Sequence, residues 1–83
     1  MEILYFAWVR ERIGADHEEI DPPADIVDVR GLIRWLATRS AGHEAALQDQ
    51  ACLRAAVDQK FVDFDAPIRR AREIAIFPPV TGG

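Results

Sequence analysis

The two glycines at the end of the sequence offer a terminal carboxyl group to chemistry. Gly82 and Gly83 have no Cβ, so a chain that ends in them can enter a channel too narrow for any other residue pair. The α-carboxylate at the end of such a chain is unhindered. We therefore predict that Gly83 is the reactive residue and that Gly82 lets it reach a partner's site. A frayed end without function is the alternative interpretation.

The residues before the glycines predict a stiff spacer behind a buried strand. Glu73–Phe77 is apolar at nearly every position, which is typical of a buried strand. Pro78 and Pro79 lack backbone N–H groups, so they end the strand and hold the chain extended. Residues 80–83 can then reach roughly 13–14 Å, at about 3.3–3.6 Å per residue. We expect a folded domain over residues 1–79 and an extended functional tail over residues 80–83.

The composition is that of one small globular domain. The 83 residues are 49% hydrophobic and 29% charged, and their net charge of −4 disfavours binding to nucleic acid. No apolar run approaches the length of a membrane span, and the first residues lack the basic start of a signal sequence. Cys52 is the only cysteine, which suits a reducing cytoplasm. We expect a cytoplasmic protein without nucleic-acid or membrane partners, in which Cys52 is buried and unreactive.

The first half of the chain predicts two strands and a helix. Residues 3–9 are apolar, as in a central strand, and residues 17–21 form a polar edge strand of the same hairpin. Gly14 supplies a positive φ in the turn between them. Asp28 is the predicted N-cap of the helix that follows. That helix carries one apolar stripe, made of Val29, Leu32, Ile33, Leu36 and Ala37.

The second half predicts a short helix over residues 43–49 and strands over residues 53–59, 61–64 and 73–77. A helix between the hairpin and the later strands makes a crossover, which places the first and last strands side by side at the centre. The predicted fold is therefore the α+β ubiquitin-like β-grasp, a mixed sheet of about five strands with one main helix packed on one face. The other face stays partly open.

The side chains predict no self-contained active site. His17 and His43 have no cysteine or second histidine at ligand spacing, so we predict no metal site. Ser40 is the only serine, and its place at a helix end predicts no catalytic triad. No glycine-rich phosphate loop precedes a helix, so the chain has no such site for ATP. Partners must therefore supply the catalytic groups.

A family pattern runs through several stretches of the chain and is clearest at its end. The chain ends in Phe77-Pro78-Pro79-Val80-Thr81-Gly82-Gly83, and further matching stretches lie at residues 3–7, 9–11, 56–59 and 62–68. Together these stretches resemble the small subunits of molybdopterin synthase, a family of sulfur carrier proteins. The chain departs from the family at residues 69–72, which are basic where an acidic, glycine-containing turn is usual. It also has Asp58 where the family commonly has Asn.

The resemblance implies a cycle in which other enzymes act on Gly83. An activating enzyme related to ubiquitin activators would use ATP and Mg²⁺ to make a glycyl adenylate, which a sulfurtransferase persulfide would convert to a thiocarboxylate (1-thioglycine). The tail would then enter the large subunit of the synthase, in a heterotetramer of two small and two large subunits. There it would donate sulfur to cyclic pyranopterin monophosphate to form molybdopterin. The chain itself would bind no cofactor and would be the non-catalytic sulfur donor of the complex.

The resemblance also implies a partner-binding patch beside the tail. The family has aromatic or apolar residues at the positions of Phe6, Phe61 and Phe77, and strand alternation lets Phe6 and Phe77 share the open sheet face. The predicted partner-binding set is Phe6, Phe61, Phe77, Pro78, Pro79, Val80 and Thr81. Burial of the aromatic rings in the core is the alternative interpretation.

Three other functions fit the same sequence. A sulfur carrier for another pathway, such as thiamine biosynthesis, would share the fold and the terminal glycines but usually lacks the Phe-Pro-Pro-Val approach. A ubiquitin-like modifier would form isopeptide bonds with lysines of other proteins. A β-grasp interaction domain with an idle tail would need neither activation nor sulfur.

Overall fold

The computed structural model describes residues 1–79. Within them, one mixed sheet contains β1 (Glu2–Tyr5), β2 (His17–Glu19), β3 (Arg54–Val57), β4 (Lys60–Val62) and β5 (Glu73–Phe77). The helices are α1 (Ala7–Ile13), α2 (Val29–Leu36) and α3 (Ala41–Leu47), followed by a 3₁₀ turn at Gln50–Cys52. The longest of these helices has eight residues, and none of them is long and apolar enough to cross a bilayer.

The strand order is β2-β1-β5-β3-β4, so the first and last strands are neighbours at the centre. β1 and β5 are parallel, whereas β2 pairs antiparallel with β1 and β3 pairs antiparallel with β5. The connection between the two halves passes through α2, as a parallel central pair requires. The predicted β-grasp topology is confirmed, including the edge position of β2.

Strand alternation divides the sheet into a covered face and an open face. Ile3, Tyr5, Ile74 and Ile76 point from the central strands towards the helices, and each is at most 1% exposed. The predicted stripe of α2 belongs to the same core, with Val29, Leu32, Ile33 and Leu36 fully buried. Burying such a side chain stabilises the fold by about 1.5–3 kcal/mol, so the covered face is the main source of stability.

The first strand is shorter than predicted, because the chain turns early into a helix. The prediction of a strand over residues 3–9 is wrong beyond Tyr5, because β1 ends there and α1 begins at Ala7. Val9 is buried and Ile13 is half-buried, one helical turn later, so both face the core from α1. Only these two positions, on either side of Arg10-Glu11-Arg12, show the i, i+4 spacing, which is too few to indicate a helix against the apolar run before them. Gly14 ends α1 with φ 87°, which confirms the predicted positive φ.

The third helix packs closely on the first. α3 begins two residues before the predicted helix over residues 43–49, and Ala46 and Leu47 are buried as predicted. Gly42 lies where a Cβ would come within 2.6 Å of the backbone oxygen of Arg12 on α1. The short distance between the two helices therefore depends on glycine at this position.

The hairpin between β3 and β4 turns on two residues with positive φ. Asp58 and Gln59 have φ values of 48° and 71°, as a two-residue type I′ turn requires. The Asp58 carboxylate accepts hydrogen bonds from the backbone N–H groups of Arg72 and Glu73, at 2.9 and 3.0 Å. This side chain therefore ties the hairpin to the start of β5. An Asn side chain has an oxygen that can fill the same role.

Candidate docking face

The open face of the sheet carries an apolar patch around the end of β5. Its members point away from the core or follow directly on the strands, and their side chains line one shallow cavity of about 700 Å³. We call this patch the apolar face; it comprises Leu4, Phe6, Ala7, Ala56, Phe61, Ala75, Phe77, Pro78 and Pro79.

Two phenylalanines of the apolar face extend into solvent. Phe61 is 83% exposed and Phe6 is 45% exposed, so neither is a core residue. Phe77 is half-buried, and its ring centroid lies 5.7 Å from that of Phe61, in the range of a favourable aromatic pair. Adjacent exposed aromatic side chains typically mark a surface that a partner covers.

The structure brings together every described member of the predicted partner-binding set. Phe6, Phe61, Phe77, Pro78 and Pro79 line the one cavity. The other predicted site residues, Val80, Thr81, Gly82 and Gly83, lie outside the described residues, and their roles stay predictions.

Small residues on the central strands leave room between the aromatic rings. Ala56 on β3 is in register with Phe61 on β4 and with Ala75 on β5. Because each alanine contributes only a methyl group, the side chains in the middle of the apolar face are short, whereas those of Phe61 and Phe77 beside them extend further from the sheet. The cavity therefore follows from the order of small and large residues across three strands.

Phe6 reaches the apolar face from the residue after β1, not from within a strand. Its N–H donates to the carbonyl oxygen of Ile76 at 3.3 Å, which extends the β1–β5 pairing by one residue. Phe6 is extended, with φ −130° and ψ 156°, whereas the next residue, Ala7, has φ 53°. A non-glycine residue in this region costs about 1–3 kcal/mol, so surrounding contacts must hold it there.

Charged side chains flank the apolar face at its two ends. Arg54 is in register with Phe77, at the end of the sheet where β5 stops. At the opposite end, Glu2 is in register with both Glu19 of β2 and Glu73 of β5. An apolar centre bordered by charge is the usual organisation of a protein–protein interface.

A partly buried hydrogen-bond network connects α3 to the first two strands. His43 is 2.6 Å from Ser40 Oγ through Nδ1 and 2.9 Å from Glu18 Oε2 through Nε2. The Tyr5 hydroxyl donates to the same carboxylate oxygen at 2.7 Å. Tertiary structure therefore assembles a serine, a histidine and an acid, although their positions in the sequence predicted no such group.

This network serves as an anchor for α3. Ser40 Oγ also accepts a hydrogen bond from the backbone N–H of His43 at 3.1 Å, so its oxygen is engaged as the N-cap of α3. Burial raises the pKa of Tyr5, as do its hydrogen bond to Glu18 and the charge of that carboxylate. Partial burial acts to raise the pKa of Glu18, but hydrogen bonds to His43 and Tyr5 outweigh it and lower that pKa. Glu18 is accordingly the ionised acceptor of the network.

Cys52 is exposed, so the prediction that it is buried is wrong. It closes the surface 3₁₀ turn, where its thiol donates to Asp49 Oδ2 at 3.3 Å. That hydrogen bond and the charge of Asp49 raise the pKa of the thiol, which keeps it protonated and a poor nucleophile. Among residues 1–79, no three His, Cys, Asp or Glu side chains are grouped to hold a metal ion.

Comparisons with known proteins connect this arrangement to a family. Residues 3–83 match the model of the ThiS family. The molybdopterin synthase sulfur carrier subunit of Escherichia coli (strain K12) is 43% identical over 83 residues, which cover 100% of this chain and 99% of that protein. The Dictyostelium discoideum protein of the same name is 39% identical over 84 residues, which cover 99% of this chain and 94% of that protein. The crystal structure of SAMP1 from Haloferax volcanii shares the fold, with a TM-score of 0.71 at 23% identity over 100% of this chain and 98% of that one.

Proposed function

The chain belongs to the ThiS family, and on this basis we propose that it is the sulfur carrier subunit of a molybdopterin synthase. The observation that carries the proposal is the continuity between the apolar face and the tail. Phe77, Pro78 and Pro79 line the cavity and lead directly into residues 80–83, so a partner that covers the face also receives the tail. The terminal carboxylate of Gly83 is the group to be charged with sulfur.

The proposed chemistry begins with activation of that carboxylate by a ubiquitin-activator-like enzyme. A Gly83 carboxylate oxygen attacks the α-phosphorus of ATP, and pyrophosphate leaves. The mixed anhydride that results gives the acyl carbon a leaving group that a free carboxylate lacks. ATP and Mg²⁺ belong to the activating enzyme, and this chain contributes only its terminus.

Sulfur enters in the second step. The terminal sulfur of a sulfurtransferase persulfide attacks the acyl carbon of the adenylate, and AMP leaves. A thiol then cleaves the acyl disulfide and forms a disulfide with the sulfurtransferase, which leaves the thiocarboxylate on Gly83. In the large subunit of the synthase, the thiocarboxylate sulfur displaces an oxygen substituent of cyclic pyranopterin monophosphate. Water then cleaves the bond between this sulfur and the acyl carbon, which restores the Gly83 carboxylate, and the large subunit supplies the catalytic groups.

The apolar face serves two partners in turn, the activating enzyme and the large subunit. Burying one of its exposed aromatic rings contributes about 1.5–3 kcal/mol before the costs of association. The same carrier must leave one partner before it meets the other, so a face of modest area suits this role. We place the cycle in the cytoplasm, in a heterotetramer of two small and two large subunits.

Intact mass spectrometry tests the proposed activation. The chain is incubated with ATP, Mg²⁺, the activating enzyme, the sulfurtransferase and a sulfur source, with the E. coli carrier subunit as a positive control. We expect one oxygen to be replaced by sulfur, and fragmentation should place the change at Gly83. A variant without Gly83 should keep its circular dichroism spectrum and gain no sulfur. If the positive control is charged and this chain is not, the proposal is wrong.

Reconstitution separates the pathway from the alternatives. The charged chain and the large subunit should convert cyclic pyranopterin monophosphate to molybdopterin. Transfer of sulfur only to a thiamine precursor would identify the other type of carrier. Covalent adducts on lysines of other proteins would indicate a modifier, and full activity of the variant without Gly83 would indicate an idle tail.

A further inference from the structure

Ala7 stands between the two faces of the sheet and has a strained backbone. Its φ of 53° is in the left-handed region that favours glycine, and its side chain is exposed at the cavity of the apolar face. Phe6, directly before Ala7, belongs to the apolar face, whereas Val9, two residues after Ala7, is fully buried in the core. The change from one face to the other therefore takes place at Ala7.

Contacts on both sides hold this turn in place. Before it, the N–H of Tyr5 donates to the carbonyl oxygen of Asp16 at 2.9 Å, and the N–H of Phe6 donates to Ile76. Ala7 is itself the first residue of α1, and in that helix the N–H of Arg10 donates to the carbonyl oxygen of Phe6 at 3.4 Å. A paired strand and a packed helix thus leave Ala7 as the single residue in which the chain reverses direction. Such flanking contacts offset the strain of the left-handed conformation.

Alanine at this position restricts the backbone more than glycine would. Glycine occupies positive and negative φ about equally, so it would accept the turn without strain but would also allow others. A Cβ at residue 7 removes many of those alternatives, and the residue directly before it is Phe6, whose side chain is 45% exposed and whose backbone is held by two long hydrogen bonds. Rigidity at Ala7 therefore acts on the orientation of Phe6.

We propose that Ala7 is a positioning residue that holds Phe6 on the apolar face in the orientation that the partner covers. The inference rests on the proposed function, because it takes the large subunit of molybdopterin synthase as that partner. The strained turn then contributes to binding. If the fold needed only a tight turn at this position, glycine would make the protein more stable than alanine does.

The variant Ala7→Gly tests the proposal by isothermal titration calorimetry with the purified large subunit. We expect the free energy of unfolding to be equal or higher, because the strain is relieved. We expect binding to be about two- to fivefold weaker, because the added backbone freedom must be lost on docking. Weaker binding without a loss of stability distinguishes positioning from a purely structural role, in which a loss of affinity would accompany a loss of stability.

A double-mutant cycle shows whether the effect passes through Phe6. In a Phe6→Ala background, Ala7→Gly should no longer weaken binding. In a Phe61→Ala background, which serves as the matched control, the same substitution should still weaken it. Unchanged affinity of Ala7→Gly, or an equal loss in both backgrounds, would overturn the proposal while leaving the proposed function intact. Failure of the unmodified chain to bind the large subunit would overturn both.

Discussion

The two faces of the sheet are built from the same strands, yet only one of them holds the fold together. On β1, Ile3 is fully buried under the helices, and its neighbour Leu4 is half-buried on the open side. On β5, Ile76 is fully buried, and Phe77 lines the cavity of the apolar face. The covered face carries large aliphatic side chains, whereas the open face carries alanines between phenylalanines.

Along each of these strands, side chains that stabilise the fold alternate with side chains that remain available to a partner. A small β-grasp chain has enough helix to cover one face of its sheet, so the other face remains for partners. Because successive side chains point to opposite faces, adjacent substitutions should affect different properties of the protein. Substitutions on the two faces therefore test whether stability and binding are separate.

The largest effect is expected from the pair of substitutions Ile3→Ala and Leu4→Ala. Ile3→Ala removes a fully buried side chain and should lower the free energy of unfolding by about 2–5 kcal/mol. Leu4→Ala should cost much less stability, because the site is already partly open to solvent, but it should weaken binding to the large subunit. Urea denaturation and calorimetry measure the two effects. Equal losses of stability at both positions would contradict the separation of the faces.

The next effect concerns the most exposed aromatic ring. Phe61→Ala should weaken binding to the large subunit by about 1.5–3 kcal/mol, or roughly ten- to hundredfold in Kd. Its free energy of unfolding should change by no more than about 1 kcal/mol, since the ring is 83% exposed and loses mainly its contact with Phe77. Val27→Ala is the matched control, because Val27 is 54% exposed and lies outside the apolar face. Equal weakening by both variants would show that exposure, not location, decides binding.

A smaller effect is expected at the turn behind the apolar face. Asp58→Ala removes two hydrogen bonds to the start of β5 and places alanine at a positive φ, so it should cost about 1–2 kcal/mol of stability. Asp58→Asn keeps an oxygen acceptor and tolerates the same φ, so it should retain most of the stability. Thermal unfolding compares the two variants. If Asn is as harmful as Ala, the carboxylate charge matters more than the hydrogen bonds.

The smallest effect is a dependence of stability on pH that belongs to the covered face. The pKa of Glu18 is lowered in the folded chain, so its contribution is present above the ordinary carboxyl pKa of about 4.3 and is lost as the pH falls. The pKa of Tyr5 is raised, so its contribution is present below about pH 10 and is lost as the pH rises further. Glu18→Gln should flatten the acid limb of the stability curve. Urea denaturation at a series of pH values compares Glu18→Gln with the unmodified chain.

Local patterns in the chain were enough to predict much of this architecture. The side-chain carboxylate of Asp28 accepts from the N–H of Gly31 at 2.8 Å, which confirms the predicted N-cap of α2. Glu73–Phe77 has the predicted bounds, and the predicted central pairing of the first and last strands is present. Caps, apolar stripes and prolines act through neighbouring residues, so their consequences can be inferred without knowing the rest of the fold.

The errors arose where distant residues decide the outcome. The apolar run over residues 3–9 is compatible with a strand, and only the packing of α1 on α3 makes its second half helical. Cys52 is exposed because it lies in a surface turn, and the positions of α3 before the turn and β3 after it decide where that turn lies. The contact between His43 and Glu18 joins residues 25 apart in the chain, and no local pattern marks such a pair.

The terminal glycines, the proline spacer and the family pattern were readable in the order of the residues, because each is a property of a short stretch. The residues of the partner-binding patch were predicted through the family resemblance, but the shape of the apolar face is a property of the fold. Its rings come from the residue after β1, from β4 and from the end of β5, and only the pairing of those strands brings them to one cavity. The left-handed turn at Ala7 is equally a product of the fold, since a paired strand before it and a packed helix after it impose a backbone that alanine alone would avoid.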